Sequence, residues 1–254
     1  MQNARTFREK LRSGKVCVGT GISMSDAAVT EALAGSVDYV WIDSEHNPMS
    51  LEVIQAHLMA TNGSDTAGLV RVPWNDPVLI KPVLDIGADG IIIPLIRTAD
   101  DARRAVEACR YPPDGIRGYG PRRASKYARL GGPEFCKLAN EEIITIVQIE
   151  HVDAVNNLDE ILAVPGLTSI VIGPNDLAGS LGYMGEPAHP EVERTIESVL
   201  AKAGKTDVFA GIAVAPDPEV IKFWVERGAN WISAAADFIF LRRGIEAVVR
   251  CVNG

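Results

Sequence analysis

The sequence is poor in cysteine: four of its 254 residues are cysteines, and no two form the Cys-x-x-Cys pair of a zinc or redox site. It also lacks a run of eighteen apolar residues and an apolar segment near its N-terminus. Basic residues are in the minority, since 25 Lys and Arg face 33 Asp and Glu, a formal net charge of −8. These absences predict a cytoplasmic protein with reduced thiols, and they argue against nucleic acid or membrane as a partner.

Short apolar segments alternate with longer amphipathic ones along the whole chain. Eight segments have the composition of buried strands: Val16–Thr20, Tyr39–Asp43, Gly68–Val72, Gly90–Pro94, Ile144–Glu150, Ser169–Gly173, Phe209–Val214 and Trp231–Ala235. Helical spacing follows each of them: Ser25–Leu33, Leu51–Thr61, Pro77–Ile86, Ala99–Arg110, Val152–Leu162, Pro190–Ala203, Pro218–Arg227 and Phe238–Val252. Eight such pairs in about 250 residues predict an α/β fold, a single-domain (β/α)₈ TIM barrel over residues 1–254.

Features that other α/β enzymes need are missing from this pattern. The turn after the first strand lacks the third glycine of a dinucleotide-binding loop, which disfavours a doubly wound sheet. None of the eight predicted strands contains a lysine, so a Schiff-base aldolase has no evident nucleophile. The loops after strands seven and eight lack glycine-rich phosphate turns. One long segment, Tyr111–Glu142, follows a helix and is therefore expected at the bottom of the barrel.

Polar residues follow several of the predicted strands. Barrel enzymes build their active sites at these carboxyl ends. Glu150 and Asp176 end neighbouring strands, so their carboxylates can converge and bind a hard divalent cation such as Mg²⁺ or Mn²⁺. A helix N-cap for Asp176, or an acid–base pair, are alternatives that the pattern leaves open.

His46 and Arg71 are two further candidates at the strand ends. A histidine exchanges protons readily near neutral pH, so His46 is a candidate base, whereas His57, His151 and His189 are interpreted as structural. Arg71 ends an apolar strand, and its permanent charge requires an anionic partner. That partner could be a substrate carboxylate or an internal aspartate.

Five ordered motifs resemble the HpcH/HpaI aldolase family, the metal-dependent 2-keto-3-deoxy acid aldolases. They comprise residues 41–46 (WIDSEH), 71–77 (RVPWNDP), 110–118 (RYPPDGIRG), 148–150 (QIE) and 173–177 (GPNDL). The resemblance covers nearly the whole chain. It implies a reversible cleavage of a 4-hydroxy-2-oxo acid to pyruvate and an aldehyde through a pyruvate enolate.

The resemblance also implies a role for each matching position. Glu150 and Asp176 correspond to the ligands of a divalent cation, Mg²⁺ or Mn²⁺ with Co²⁺ as a further option. His46 corresponds to the catalytic base and Arg71 to the arginine that stabilises the transition state. Gln148 and the backbone around Asn175 correspond to contacts with pyruvate. Many relatives have alanine in place of Asn175, so the side chain itself alters the pocket.

Asp85 matches an aspartate that raises the basicity of the catalytic histidine. The helical pattern places it at the end of the third helix of the barrel, on the side opposite His46. The resemblance implies that a neighbouring subunit supplies it, in a hexamer built as a trimer of dimers that exchange their C-terminal helices. The apolar run Phe238–Leu241 is suited to such docking.

Three other functions remain compatible with the same barrel. A citrate-lyase-like enzyme acting on an acyl-CoA would need a basic groove, for which Arg122 and Arg123 are candidates. Oxaloacetate decarboxylation would produce the same enolate. A ligand-binding barrel without catalysis is disfavoured, because all five motifs retain their polar residues. The aldehyde that the enzyme uses does not follow from the sequence.

Overall fold

Eight parallel strands close into a barrel in the computed structural model, which describes residues 2–253. The strands are β1 (Cys17–Ile22), β2 (Tyr39–Asp43), β3 (Ala67–Arg71), β4 (Gly90–Ile93), β5 (Ile144–Ile149), β6 (Ser169–Ile172), β7 (Phe209–Val214) and β8 (Trp231–Ala236). Each strand pairs with the next, and β8 pairs with β1. The predicted (β/α)₈ barrel is therefore confirmed, and every predicted strand lies within two residues of an observed one.

Helices follow the strands on the outside of the barrel. Within residues 2–253 they are α1 (Gln2–Arg12), α2 (Ala28–Leu33), α3 (Leu51–Ala60), α4 (Pro77–Asp85), α5 (Ala99–Cys109), α6 (Gly132–Glu142), α7 (Val152–Asn156), α8 (Leu158–Leu162), α9 (Pro174–Ser180), α10 (Pro190–Ala203), α11 (Pro218–Glu226) and α12 (Asp237–Asn253). Ser50, Asp76, Thr98 and Asp217 cap α3, α4, α5 and α11, because each side chain accepts a hydrogen bond from a backbone N–H of the first turn.

Aromatic side chains fill the interior of the barrel. Tyr39 and Trp231 meet edge to face with ring centroids 5.3 Å apart, and Phe7 of α1 contacts Tyr39 from below at 5.5 Å. Gly19 and Gly211 leave the space for these rings, since a Cβ at either position would overlap Tyr39 or Trp231. Helix α1 therefore closes the bottom of the barrel, and the open mouth lies at the carboxyl ends of the strands.

The segment Tyr111–Glu142 lies at the bottom of the barrel, as predicted, although its last part forms α6. The Arg123 guanidinium donates hydrogen bonds of 2.8 Å to the carbonyl oxygens of Ile86 and Leu58, at the carboxyl ends of α4 and α3. Arg117 is almost fully buried, and its Nη2 contacts Asp85 Oδ1 at 2.8 Å. These arginines fasten the segment to the ends of the two helices.

Helix α12 has many apolar side chains that remain exposed. They are Phe238, Phe240, Leu241, Ile245, Val248, Val249 and Val252. Its first residue, Asp237, is buried and accepts hydrogen bonds from the backbone N–H groups of Ser23 and Met24. The helix is thus anchored at its start, and its apolar side chains beyond that point are uncovered. In residues 2–253, no helix combines the length and hydropathy needed to cross a membrane.

Three histidines have structural contacts that agree with the sequence interpretation. His57 is buried, and its Nδ1 lies 2.8 Å from Thr30 Oγ1. His151 and His189 are the N-cap residues of α7 and α10, and each accepts a hydrogen bond from a backbone N–H two residues later. His46 has no comparable structural role, because it lies in an irregular turn at the mouth of the barrel.

Candidate active site

A cavity of about 370 Å³ lies at the mouth, and residues at or near the carboxyl ends of every strand except β4 line it. Five of the seven predicted site residues line it: His46, Arg71, Gln148, Asn175 and Asp176. Parallel strands bring their carboxyl ends to one face of the barrel, so motifs far apart in the sequence meet here. Glu150 is not among the lining residues, but it follows the last residue of β5 and is hydrogen-bonded to Gln148, which lines the cavity.

Glu150 is a buried carboxylate held by defined donors. The backbone N–H of Leu95 donates to its Oε1 at 2.7 Å, and the Gln148 side-chain amide donates to its Oε2. A Cβ at Gly173 would lie 2.9 Å from Gln148 Nε2 and 3.1 Å from Glu150 Oε2, so a side chain there would press on both groups. Burial raises the pKa of Glu150, and the nearby charges of Asp176 and Glu45 add to this effect.

Leu95 and Ala235 have left-handed backbone conformations at the mouth. Their φ angles are 57° and 50°, in a region that costs a residue with a Cβ roughly 1–2 kcal/mol. For Leu95 the conformation directs the backbone N–H toward Glu150. Residues held in such conformations cluster at active sites, where the surrounding structure fixes them.

Asp176 lies in the first turn of α9, which follows β6 directly. Gly173 is the N-cap residue of this helix and makes no side-chain capping bond. The alternative in which Asp176 is the N-cap is therefore wrong, because the helix begins two residues earlier. Its carboxylate is exposed and lines the cavity beside His46 and Arg71.

Arg71 lies between two carboxylates that the sequence interpretation did not assign to the site. Its Nε donates to Asp43 Oδ1 at 2.8 Å, and its Nη1 lies 2.9 Å from Glu45 Oε2. Its guanidinium carbon lies 5.1 Å from the centroid of the Trp41 ring. Asp43 and Glu45 stand two residues apart at the end of β2, and this alternation on a strand end was the signal that could have identified them.

Glu45 also approaches His46, whose Nε2 lies 3.6 Å from Glu45 Oε2. Burial raises the pKa of Glu45, while the Arg71 and His46 charges act in the opposite direction. The His46 side chain is 64 % exposed and so faces the open cavity. The internal anionic partner that Arg71 requires is therefore present, and Nη1 also lies 3.5 Å from Gln148 Oε1.

Asp85, the seventh predicted site residue, is not at the mouth. Helix α4 runs antiparallel to the strands, so its last residue lies at the bottom of the same barrel, where it pairs with Arg117. A single chain therefore does not bring Asp85 to His46.

The donor set at the mouth fits a hard divalent cation that retains water ligands. Glu150 and Asp176 are close enough for the charge of one to raise the pKa of the other. In the described part of the chain, no three His, Cys, Asp or Glu side chains form a complete cage. Two carboxylates with open positions are the arrangement that Mg²⁺ accepts, because it gives up its water reluctantly.

Barrel and mouth together define a candidate enzyme site in which carboxylates, an arginine and a histidine come together at one end of the barrel. No lysine occurs in the eight strands that the structure describes, which agrees with chemistry that does not use a Schiff base. The family model described as HpcH/HpaI aldolase/citrate lyase matches residues 22–243, and the chain belongs to this family.

Known relatives extend over almost the whole chain. A 4-hydroxy-2-oxo-heptane-1,7-dioate aldolase of Salmonella typhimurium is 39 % identical over 98 % of this chain and 94 % of its own length. An HpcH/HpaI aldolase/citrate lyase family protein of Burkholderia cenocepacia is 32 % identical with a TM-score of 0.92, covering 97 % of this chain and 98 % of that one. The citrate synthase SbnG is 27 % identical with a TM-score of 0.85, covering 96 % of each chain. The protein is thus an aldolase, a carbon–carbon lyase.

Proposed function

We propose that the protein reversibly cleaves a 4-hydroxy-2-oxo acid to pyruvate and an aldehyde. The observation that carries this proposal is the fixed arginine at the mouth, Arg71, which faces the same cavity as His46 and Asp176. Cleavage of the C3–C4 bond leaves negative charge on the pyruvate oxygen. A guanidinium already held in place stabilises such charge without reorganising at the moment of reaction.

Glu150 and Asp176 are proposed to hold a divalent cation, with Mg²⁺ or Mn²⁺ preferred and Co²⁺ a further option. When bound, such a cation supplies Lewis-acid stabilisation of the enolate of pyruvate. Burial raises the pKa of Glu150, and this supports the assignment because a nearby cation would relieve the cost of ionising a buried carboxylate.

His46 is the proposed base that removes the proton from the C4 hydroxyl in the cleavage direction. Its exposed ring faces the cavity, and Glu45 Oε2 lies 3.6 Å from its Nε2. Gln148 and the backbone at Asn175 are proposed to orient the pyruvate unit, since both line the cavity beside Arg71. In condensation the same groups act in reverse.

Asp85 is proposed to assist His46 of a neighbouring subunit, in a hexamer arranged as a trimer of dimers. The uncovered apolar side chains of α12 support an assembly in which this helix packs on a second copy. Arg117 holds the Asp85 carboxylate at 2.8 Å, so the position of the aspartate is fixed at the bottom of its own barrel. A cytoplasmic location is also proposed, and it rests on the scarcity and wide spacing of the cysteines in the sequence.

Exchange of the methyl protons of pyruvate with deuterium, followed by NMR, tests the proposal without any aldehyde. We expect exchange that depends on added Mg²⁺ or Mn²⁺ and stops with excess chelator. Glu150→Ala should abolish the dependence on metal by removing a proposed ligand, so that added metal no longer stimulates exchange. His46→Ala and Arg71→Ala should lower kcat by orders of magnitude. His189→Asn, which replaces a helix cap by another capping residue, is the control. Full activity in excess chelator would contradict the proposed metal.

Asp85→Ala tests the contribution of a neighbouring subunit. We expect slower turnover with an unchanged requirement for the metal, because the variant leaves Glu150 and Asp176 intact. Sedimentation of the wild-type protein provides the second measurement. A fully active monomer would contradict the shared site.

The alternative lyase reaction on an acyl-CoA receives no support from the structure. Its candidate basic residues, Arg122 and Arg123, lie in the segment at the bottom of the barrel, and Arg123 is occupied by carbonyl oxygens there. Oxaloacetate decarboxylation would use the same groups as the proposed cleavage, since it produces the same enolate. Adding oxaloacetate to the same variants measures that activity directly.

A further inference from the structure

A lateral groove opens from the candidate active site and runs outward between α10 and α11. Its volume is about 760 Å³, larger than the 370 Å³ of the cavity at the mouth. The two spaces share Asn175, Ala213 and Ala235 among their lining residues. The two spaces are therefore adjoining, and a molecule that reacts beside Arg71 can extend into the groove.

Most of the groove wall is apolar. The inner wall consists of small residues at the ends of β7 and β8, such as Ala213 and Ala235, which leave the passage open. Larger side chains from the helices form the outer wall: Ile196, Val220, Phe223 and Trp224. Such a surface binds hydrocarbon, because each methylene removed from water contributes to the binding free energy.

The charged residues among those lining the groove are both acidic. Glu193 belongs to α10 and Glu219 to the first turn of α11, so the two carboxylates come from opposite walls. A ligand tail that ends in a carboxylate would meet two like charges in this groove. Like charges at close range raise the cost of burying such a tail.

The two arginines close to the groove, Arg227 and Arg243, are already bonded to other groups of the protein. Arg227 Nε contacts Glu197 Oε1 at 2.5 Å, and its guanidinium stacks on the Phe223 ring. Arg243 donates to the carbonyl oxygen of Pro216 at 3.1 Å. Neither arginine lines the groove. No guanidinium among the groove-lining residues is therefore available to bind a carboxylate tail.

We propose that the lateral groove binds the tail of an uncharged, apolar aldehyde and discriminates against an aldehyde whose tail ends in a carboxylate. This inference rests on the proposed aldolase reaction. In condensation, C3 of pyruvate loses a proton and bonds to the aldehyde carbon, and the aldehyde oxygen takes up a proton. Cleavage reverses these steps, and no other reactant is needed. The tail in the groove is spectator to the chemistry and contributes binding only.

Aldehydes of matched size provide the test. With pyruvate, Mg²⁺ and the wild-type protein, pentanal and succinic semialdehyde differ chiefly in the charge at the end of the tail. We expect kcat/KM to be at least tenfold higher for pentanal. From propanal to hexanal, kcat/KM should rise about fourfold for each methylene, the equivalent of ~0.8 kcal/mol. Equal or better use of succinic semialdehyde would overturn the proposal.

Variants of the groove provide a second measurement. Glu219→Lys should raise kcat/KM for succinic semialdehyde about tenfold relative to pentanal, because it places a cation in the groove. Val220→Trp should abolish the dependence on chain length by filling the space. Glu226→Lys, the same change at the other end of α11 outside the groove, should leave both preferences unchanged.

Deuterium exchange into the pyruvate methyl group separates the two proposals. All three variants should retain the wild-type exchange rate, because none touches the residues at the mouth. If the wild-type protein exchanges the methyl protons but prefers succinic semialdehyde to pentanal, only the groove assignment is overturned. Absence of exchange in the wild-type protein overturns both. If Val220→Trp instead changes the sedimentation coefficient and leaves acceptor preference intact, the groove is a contact between copies and the assignment is wrong.

Discussion

Arg71 shows how much of the candidate chemistry depends on the placement of one side chain. Its guanidinium contacts Asp43 through Nε and Glu45 through Nη1, in a fork that an ammonium group cannot reproduce. The two carboxylates keep the arginine extended across the mouth. The site therefore fixes the orientation of the Arg71 guanidinium as well as supplying its positive charge.

Arg71→Lys tests this placement while retaining the positive charge. We expect kcat/KM to fall by about 10²–10³, since loss of one fixed donor to a developing oxyanion costs about 2.7–4 kcal/mol. Steady-state kinetics and pyruvate proton exchange measure the effect. Arg227→Lys, in an exposed ion pair with Glu197, is the matched control and should be silent. Near wild-type turnover of Arg71→Lys would show that charge alone suffices.

The cysteines differ sharply in their surroundings. Burial raises the pKa of Cys109 to about 11 and that of Cys17 to about 12, whereas Cys251 is exposed on α12. Because the thiolate is the reactive form, a raised pKa keeps the two buried thiols protonated and unreactive up to about pH 9. We expect alkylation at pH 8, followed by mass spectrometry, to spare Cys17 and Cys109 until the protein is denatured. Rapid modification of Cys109 in the native protein would contradict this burial.

Individual site residues were only partly accessible from the sequence. His46, Arg71 and Asp176 were candidates because they lie at the ends of predicted strands, whereas Gln148 and Asn175 were selected through the resemblance to the aldolase family. The parallel barrel brings all five to one cavity. The partners of Arg71 could not be assigned in the same way, since several carboxylates end neighbouring strands and only distances distinguish among them. The strained backbone of Leu95 had no signal in the sequence, because leucine does not favour a positive φ.

Strands β1 and β7 depend on two glycines for the packing of the barrel interior. An added methyl at Gly211 would overlap the Trp231 ring, which lies in the middle of the interior cluster. We expect Gly211→Ala to lower the free energy of unfolding by about 1–3 kcal/mol or more, as overpacking of a dense core does. Urea denaturation followed by circular dichroism measures this loss.

Gly204→Ala is the control for that change. Gly204 has a φ of −62° at the end of α10, and the nearest atom to an added Cβ lies 3.4 Å away. Alanine fits this backbone and restricts the unfolded chain, so a gain of about 0.4–1 kcal/mol is expected. If both variants lost stability equally, the space around Gly211 would not be the cause.

Secondary-structure boundaries were predicted best where the local sequence decides them. Pro190–Ala203 was predicted with its observed bounds, because His189 and Pro190 begin the helix and Gly204 ends it. The predicted helix 152–162 is two short helices that meet at Asn157, a break that apolar spacing does not reveal. Helix α9 was missed, since it begins directly after β6 with a glycine cap. Helix α6 was also missed, because its apolar spacing is short and follows a long irregular stretch within the segment Tyr111–Glu142.

At the scale of the whole molecule, α12 is the element whose environment a single chain does not complete. Its apolar residues are uncovered, while the barrel beneath it is well packed. Burial of such a surface in a second copy would contribute to association in proportion to the apolar area removed from water. The proposed assembly would therefore depend on α12, whereas the barrel is complete within one chain.

Leu241→Glu combined with Ile245→Glu tests the role of this helix. We expect a smaller sedimentation coefficient and an unchanged circular dichroism spectrum, because both side chains are exposed in the single chain. Glu246→Gln, a polar change on the same helix, should leave the assembly intact. A wild-type protein that sediments as a monomer would contradict the proposed exchange of helices. If Asp85 acts across the interface, the double variant should also lose turnover.

The lateral groove has a consequence for how this protein can diversify. Its outer wall comes from α10 and α11, whereas the groups proposed for pyruvate chemistry come from β2, β3, β5 and β6 and the residues just after them. Changes that alter which aldehyde fits therefore fall on helices that contribute none of those groups. Selection, in nature or in a mutant library, can reshape the preference for one reactant while the conversion of the other continues undisturbed.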